Sequence, residues 1–463
     1  MARVQRLPEG NLTKSLYPAS ADLLTMADSP EVDVLVVGAG VLGVTLAYWL
    51  STLYDCSIAM ADLAPSAAMH TSSRNTGVIH RPYYLNPEKK RTFARTSLLS
   101  HPMWERLAKS AGFPWKTAGT FNIALEEEEV RVLEEYHRWG LANGMDGSEL
   151  ELMDGRGVAS REPEVKCVAG ILSKTDVSVD FGAFTRHIWR ILLARGVRFL
   201  GGRRVVSAAK TGGKVVVALR DARGSSTLGC KFVINAAGGG ALALANRLGF
   251  GSGYAQLNFR GEYWVVGEPF ASRVSTNIYR PPKFPQYPFL DPHFVVRADG
   301  TRQIGPNAVA VPGPYVYSGA GLSKALSFLD RPVWPKARLF ANGDFLTMVA
   351  GEWRSSLSKG AMCGRVRNFI PALRAGMLRS RAVFGVRCSV VDGSGFVPEA
   401  ILLRGEGSAH IINYNSPGAT GAPAFSAMVL DRLKRDGFLQ GLRSRDAPSA
   451  IPGWDYRSVV ARL

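Results

Sequence analysis

Three glycines near the start of the chain, Gly38, Gly40 and Gly43, are spaced G-x-G-x-x-G, and an acid, Asp62, follows nineteen residues after the last. In that spacing the first glycine permits a tight turn and the second lets the backbone approach a pyrophosphate. The third lets a helix pack close on the strand before it. An acid at that distance can accept a hydrogen bond from a ribose hydroxyl. Further on, Ser72, Ser73, Arg74 and Asn75 offer donors to phosphates, and Thr76-Gly77 can pass close to a flat ring with His80 beside it. His80 reads equally well as a structural imidazole satisfied by backbone. Ala237-Gly238 and Gly418-Ala419-Thr420 lie in two more small-residue turns, which let backbone approach a bound cofactor. The second of these opens a helix, whose N-terminus stabilises negative charge.

A strand–turn–helix unit must carry the glycines. Residues 34–37 are a β-branched apolar run suited to a buried parallel strand, and 42–53 continue as an apolar helix. Residues 57–61 form a second strand that ends in Asp62. A membrane span fits this stretch poorly, because it is marginal in length and carries three glycines at fingerprint spacing. Beyond it, 68–90 read as a polar loop, 91–109 as a helix, 120–125 as a strand and 126–143 as a solvated amphipathic helix. Residues 180–194 are helical. Strands follow at 197–199, 205–208, 214–219 and 230–235, with a hairpin turn at 221–225. Residues 259–266 alternate as one strand, 281–292 are a proline-rich loop, and Asp299-Gly300 signals a hairpin. Residues 322–378 are mostly helical with breaks at Pro332 and Pro335; strands at 383–391 and 410–413 precede a helix at 422–434.

The 463 residues suffice for two or three domains, and 46% hydrophobic with 20% charged residues is ordinary for a soluble globular protein. The net charge of +18 is strongly basic. Lysines and arginines are scattered rather than gathered in a stripe, so no specific nucleic acid is expected, whereas an anionic substrate is compatible. Five widely spaced cysteines without a C-x-x-C suggest free thiols, with neither a disulfide framework nor a metal site. Residues 1–30 lack the apolar core of a secretory signal, and Met26 is an alternative start. The final Ala461-Arg462-Leu463 has the small–basic–Leu form of a peroxisome-type address, and a mitochondrial location is the other option.

Taken in order, the fingerprint, TGVIH at 76–80, FRGEY at 259–263, PFL..HF at 288–294, GPNA at 305–308, GVR at 385–387 and NSPG at 415–418 resemble the FAD-dependent oxidoreductases of the D-amino-acid-oxidase fold. Within them the chain resembles the L-2-hydroxyglutarate dehydrogenase group. The resemblance implies an α/β fold, a Rossmann-like FAD-binding domain with a discontinuous substrate domain on a mostly antiparallel sheet. FAD-binding segments would be 31–110, 165–245 and 385–435, and the substrate domain 111–164 and 246–384. Residues 1–30 would be an extension and 436–463 a tail.

The same resemblance implies FAD held by Gly38, Gly40, Val41, Gly43, Asp62, Ser72, Ser73, Asn75, Thr76, Gly77, Val206, Ala237, Gly238, Gly418, Ala419 and Thr420. It also implies oxidation of a small anionic L-2-hydroxy acid, foremost L-2-hydroxyglutarate, by hydride transfer to flavin N5. A neutral imidazole suits the base that takes the hydroxyl proton; His293 is the first choice and His80 the second. Arg387 would clamp the carboxylate, with Arg260 or Arg81 for a second one, and Tyr263 would hydrogen-bond the substrate. Where the group tends to carry Ala-Gly and Gly-Val, this chain has Arg81-Pro82 and Asp291-Pro292. The electron acceptor is open between a quinone, an electron-transfer flavoprotein and oxygen, and peripheral membrane contact is compatible. Three other readings stay open: an amino-acid oxidase or malate:quinone-type dehydrogenase on the same fold, an NAD-dependent dehydrogenase, and a basic nucleic-acid- or membrane-binding protein that uses the nucleotide fold structurally.

Overall fold

A computed structural model of the protein describes residues 30–318, 334–382, 384–445 and 448–463. The Glu31–Val37 strand (β1) lies inside an eight-stranded sheet. Along its main path the order is Arg204–Thr211, Lys214–Asp221, Gly224–Asn235, β1, Ile58–Asp62 and Arg198–Gly201. Ser408–Ile412 also pairs with Gly224–Asn235 and carries Ile401–Gly405 at its outer edge. β1 is parallel to both neighbours, with Val37 opposite Ala61 on one side and Asn235 on the other. Its apolar run does not alternate because both faces of the sheet are covered.

The helix Val41–Leu53 (α1) explains the span-like hydropathy. Every residue from Val41 to Thr52 is buried, between the sheet and the helices Gly418–Arg435 and Phe181–Ala194. Trp49 Nε1 donates to Pro423 O at 2.8 Å, and the Thr45 and Ser426 hydroxyls meet at 2.6 Å. Each fully buried Leu or Val contributes about 1.5–3 kcal/mol, which outweighs the cost of about 1 kcal/mol for Gly43 inside the helix. Among the described residues, no helix is long and apolar enough to cross a membrane.

A second eight-stranded sheet is mostly antiparallel. Its order is Leu378–Arg381, Trp264–Val266, Arg302–Gly305, His293–Val296, Asn277–Tyr279, Thr120–Ala124, Ala169–Ser173 and Leu150–Asp154. A four-stranded sheet joins Val309–Val311, Ala255–Gly261, Gly385–Asp392 and Gly395–Phe396. The 165–245 and 385–435 segments therefore supply strands to more than one sheet.

The single strand expected at 259–266 is two strands in two sheets. Ala255–Gly261 ends where a Cβ on Gly261 would come within 2.9 Å of Pro306. Glu262 is then held at the corner, its N–H donating to Asn307 Oδ1 at 2.8 Å, before Trp264–Val266 enters the larger sheet. The turn at Asp299-Gly300 does join two paired strands, with Gly300 at φ +87°. In the helical stretch, Trp334–Phe340, Gly343–Leu357 and Lys359–Arg367 are helices, and Pro335 sits at the start of the first. Leu378–Arg381 is a strand instead. Residues 319–333, with Pro332, lie outside the described residues, as do Val383 and residues 1–29. At the C-terminus, Leu463 packs on the core beside the helix Tyr456–Ala461, and Arg462 O accepts from Arg95 Nε at 2.7 Å.

Candidate active site

The fingerprint glycines sit in the turn between β1 and α1. Gly38 has φ +108°, and a Cβ there would lie 2.4 Å from Ala236 O. A Cβ on Gly43 would lie 1.9 Å from Gly38 O, so helix and turn touch backbone to backbone. Gly40 offers no side chain to cap α1 and the first turn carries no acid, so the helix's positive end suits phosphate. The Val41 N–H donates to Ser72 Oγ at 2.9 Å, so the 68–77 loop folds onto this end. Asp62 closes the groove: its carboxylate accepts from the N–H groups of Ala39 at 2.6 Å and Ala64 at 2.8 Å.

The other dinucleotide candidates gather around this groove or brace it. Val206 is the extra residue of a β-bulge between Val205 and Ser207, so its backbone stands outside the hairpin ladder. Ala237 and Gly238 follow the Gly224–Asn235 strand into a turn, Gly238 at φ +54°. Ser73 Oγ donates to Ala68 O at 2.6 Å, and Asn75 Oδ1 accepts from Gly77 N–H at 2.9 Å; both hold the loop's own shape. Arg297 Nη1 donates to the carbonyls of Asn75 and Thr76. A Cβ on Gly77 would meet Val179 O at 2.6 Å.

Gly418, Ala419 and Thr420 form the first turn of the helix Gly418–Arg435, which has neither a side-chain cap nor an acid in its first turn. Thr420 Oγ1 accepts from His80 N–H at 3.4 Å, which brings this helix end against the end of the Val78–Ile79 strand. Tyr317 and Tyr315, which no motif in the sequence singles out, flank His70: Tyr317 stacks on its ring, and Tyr315 lies tilted against it with its hydroxyl next to Gly240.

His293, His80, Tyr263 and Arg387 gather around Tyr279 of the larger sheet. Ile278 pairs with Phe294 in antiparallel register, which sets Tyr279 opposite His293. Their rings stack with centroids 3.9 Å apart and planes at 18°. His80 meets Tyr279 edge-on at 5.5 Å and Tyr84 at 5.8 Å. Tyr263, at the corner between two sheets, lies 6.3 Å from His293, ring to ring. Arg387 enters from the four-stranded sheet and donates through Nη1 to Pro288 O. Tyr279 Oη and His293 Nε2 are buried with no protein partner. Buried polar atoms are rarely left unpaired, so these two mark a place for a ligand's polar groups.

The two histidines differ in what stands behind them. His80 Nδ1 lies 2.9 Å from Asp176 Oδ2, and Asp176 is fully buried. Asp176 also accepts from Ser173 Oγ at 2.6 Å, Thr120 Oγ1 at 2.8 Å and Arg81 N–H at 3.0 Å. That carboxylate holds the proton of a neutral His80 on Nδ1 and leaves Nε2 with its lone pair. His293 Nδ1 instead meets a carbonyl, Asp291 O, at 3.1 Å. Burial pushes its pKa down to about 3, with smaller contributions from His80 and Arg387 in the same sense. Burial also pushes the Tyr263 hydroxyl up to about 12 and lowers the pKa of Arg387.

Two arginines stand elsewhere. Arg387 pairs with Phe259 and Arg260 with Val386, so the two guanidinium groups leave opposite faces of one sheet. Arg260 is buried against Glu262, Nη2 to Oε1 at 2.8 Å. Arg81 Nη2 binds Glu149 Oε2 at 2.7 Å. Both are charge-paired here, and Arg81 Nε is buried without a partner. At the other departure, Asp291 Oδ1 accepts from Arg365 Nη2 at 2.7 Å, which anchors the segment leading into His293.

Residues 33–432 match the family model described as FAD dependent oxidoreductase (DAO). The chain is 26% identical to the mitochondrial L-2-hydroxyglutarate dehydrogenase of Nematostella vectensis, covering 88% of this chain and 92% of that one. It is 26% identical to the L-2-hydroxyglutarate dehydrogenase of Salmonella houtenae, covering 87% and 93%. Among solved structures it is similar to the FAD-bound L-alpha-glycerophosphate oxidase of Mycoplasma pneumoniae, with TM-score 0.67, 21% identity and coverage of 92% and 98%. The glycine oxidase of Geobacillus kaustophilus is also similar, at TM-score 0.63 and 16% identity, covering 88% and 95%. The glycine turn, Asp62 and the two helix ends free of acids fit an extended flavin dinucleotide, and with the matched model spanning most of its length the chain belongs to the FAD-dependent oxidoreductases of the DAO family.

Proposed function

We propose that the protein oxidises the C2 hydroxyl of an L-2-hydroxy acid to a ketone, with L-2-hydroxyglutarate to 2-oxoglutarate as the preferred reaction. The observation that carries this reading is the convergence of His80, backed by buried Asp176, with Arg387 and the unpartnered His293 Nε2 and Tyr279 Oη. The names of the curated relatives support it. FAD, when bound, supplies the acceptor for two electrons. Arg387 binds the α-carboxylate through the guanidinium donors that Pro288 does not use. His80 Nε2 takes the hydroxyl proton, and Asp176 faces the imidazolium that results. His293 is the weaker base, because a cation there would sit beside Arg387 with only a carbonyl to offset it. It stays neutral and accepts a hydrogen bond through Nε2. A mitochondrial site of action is the option that the animal relatives' names favour.

Anaerobic mixing of the flavin-loaded protein with L-2-hydroxyglutarate should bleach the flavin's visible absorbance within one turnover. D-2-hydroxyglutarate, malate and a panel of amino acids should be slower. Bleaching by an amino acid but by no hydroxy acid would overturn the reading.

A further inference from the structure

His70 lies on the rim of the dinucleotide groove, one residue before the short turn Thr71–Ser73. Its carbonyl accepts from Ser73 N–H at 3.0 Å, and Ser72 Oγ accepts from Val41 N–H at 2.9 Å at the start of α1. On its other side the imidazole meets residues 312–318, which follow the strand Val309–Val311 out of the four-stranded sheet. The Tyr315 ring lies against it with centroids 4.7 Å apart, and the Tyr315 hydroxyl would stand 3.0 Å from a Cβ on Gly240. Pro314 crowds the same glycine turn, 2.5 Å from where a Cβ on Gly239 would be. That turn leads back to the fingerprint through Ala236 O, which a Cβ on Gly38 would approach within 2.4 Å. The contacts thus close a ring around the groove, from Gly38 and α1 through Ser72, His70 and Tyr315 to the turn at Gly238–Gly240.

Within that ring the imidazole is satisfied at one nitrogen only. Nδ1 lies 2.8 Å from Tyr317 Oη, whereas Nε2 is buried and has no protein partner among the described residues. Buried polar atoms are rarely left so, and an unpaired one marks a place for a ligand. The Tyr317 hydroxyl can donate to Nδ1, and its ring is itself held between His70 and the guanidinium carbon of Arg74, 4.3 Å from its centroid. A neutral imidazole whose Nδ1 accepts carries its proton on Nε2 and is a donor there. Burial lowers the pKa of His70, which favours that neutral form. The nearby acid is taken, because the Asp62 carboxylate accepts from Ala39 and Ala64 N–H. A donor on the rim of a groove whose helix end and glycine turn suit phosphate calls for an anionic oxygen.

We infer that His70 is a cofactor-binding residue whose Nε2–H donates to a pyrophosphate oxygen of FAD, and that Tyr317 is the positioning residue that holds Nδ1. Residues 312–318, far in sequence from the fingerprint, thereby help to hold the dinucleotide. This role is independent of which acid the protein oxidises.

The test uses the flavin-loaded protein and two readouts that need no turnover. FAD affinity is measured by the flavin fluorescence released on dilution, and the two pyrophosphate resonances of bound FAD by phosphorus NMR. His70→Leu should weaken FAD binding at least about tenfold, the expected scale for one charge-assisted hydrogen bond, and should shift a pyrophosphate resonance. His70→Gln, which brings an amide donor close to the place of Nε2, should recover most of the affinity. Tyr317→Phe should weaken binding by a smaller factor and shift the same resonance, and it keeps the test open if His70→Leu fails to fold by far-UV circular dichroism. Unchanged FAD affinity in His70→Leu overturns the assignment. Equal losses in His70→Leu and His70→Gln would mean that the ring merely packs between the two tyrosines, and that also overturns it. A loss of affinity with both resonances at their wild-type positions would place Nε2 on a ribose hydroxyl and overturn the pyrophosphate contact. Wild-type affinity and resonances in Tyr317→Phe would remove Tyr317 from the positioning role.

Discussion

His80 Nδ1 lies 2.9 Å from Asp176 Oδ2, and Asp176 has no solvent exposure and three further donors from Ser173, Thr120 and the Arg81 backbone. A carboxylate so completely engaged fixes one imidazole orientation and tautomer and leaves Nε2 as the atom that would take the proton in the proposed reaction. It also stands against the positive charge that forms when Nε2 takes a proton.

Asp176→Asn keeps the volume and removes that charge. The rate of flavin reduction should fall by about 10²-fold with a smaller change in KM, and the pH profile should shift with it. Stopped-flow reduction across pH, with a circular-dichroism melt to confirm folding, checks this. If Asp176 acts through His80, adding His80→Gln to Asp176→Asn should cost far less than the product of the single losses. Independent, multiplicative losses would place Asp176 outside the proton path.

Arg387→Lys retains the charge and loses the planar fork that suits a carboxylate. Substrate KM should rise by about 10- to 100-fold while the flavin content per polypeptide stays at the wild-type level. Arg387 reaches the cluster from the four-stranded sheet and the fingerprint belongs to the central sheet, so the two readouts separate. An unchanged KM would remove Arg387 from the clamp role.

The unit that carries the fingerprint glycines was legible because its signals are local. Three glycines, a helix and an acid within one strand–helix–strand unit carry their own geometry. The catalytic half depends on contacts that no spacing reveals. Asp176 lies 96 residues from His80, and Tyr279 reaches His293 only through strand register. Alternation at 259–266 is the same for one strand as for two strands in different sheets, and the break depends on how Pro306 and Asn307 crowd Gly261 and Glu262. The place of Arg260 did leave a trace in the chain. Glu262 follows at i+2, on the same face of a strand, where it neutralises the arginine. An acid at that spacing favours a brace over a free clamp.

Gly43→Ala should cost the protein its flavin. The added Cβ would lie 1.9 Å from Gly38 O, and backbone on both sides cannot yield as a side chain does. The turn must move off α1, away from the position that a pyrophosphate needs. Expected is at least about a tenfold fall in FAD affinity, the minimum for losing one charge-assisted contact. Flavin absorbance per polypeptide after dialysis measures it, and far-UV circular dichroism separates cofactor loss from unfolding. Full flavin retention would show that this turn does not set the cofactor site.

Acid should destabilise the fold before its carboxylates titrate, and His410 is a main reason. It is fully buried, and burial pushes its pKa down from 6.5 to about 3. Asn235 Nδ2 donates to its Nδ1 at 3.1 Å, and Ser408 Oγ lies 3.1 Å from its Nε2. A proton on Nδ1 would face another donor, so the folded state holds this ring neutral. His293 is held neutral in the same way. The unfolded chain then binds protons that the folded chain refuses. Stability is complete above about pH 6.5, declines as pH falls toward 3 and levels below that. Each histidine contributes a slope of about 1.4 kcal/mol per pH unit within the window. Urea midpoints of the flavin-loaded protein should drop between pH 6.5 and 5.5, a range in which ordinary carboxylates stay ionised. His410→Gln, whatever its effect at pH 7.5, should show a shallower dependence there than wild type. Parallel pH curves for the two proteins would mean that His410 is already charged in the folded state.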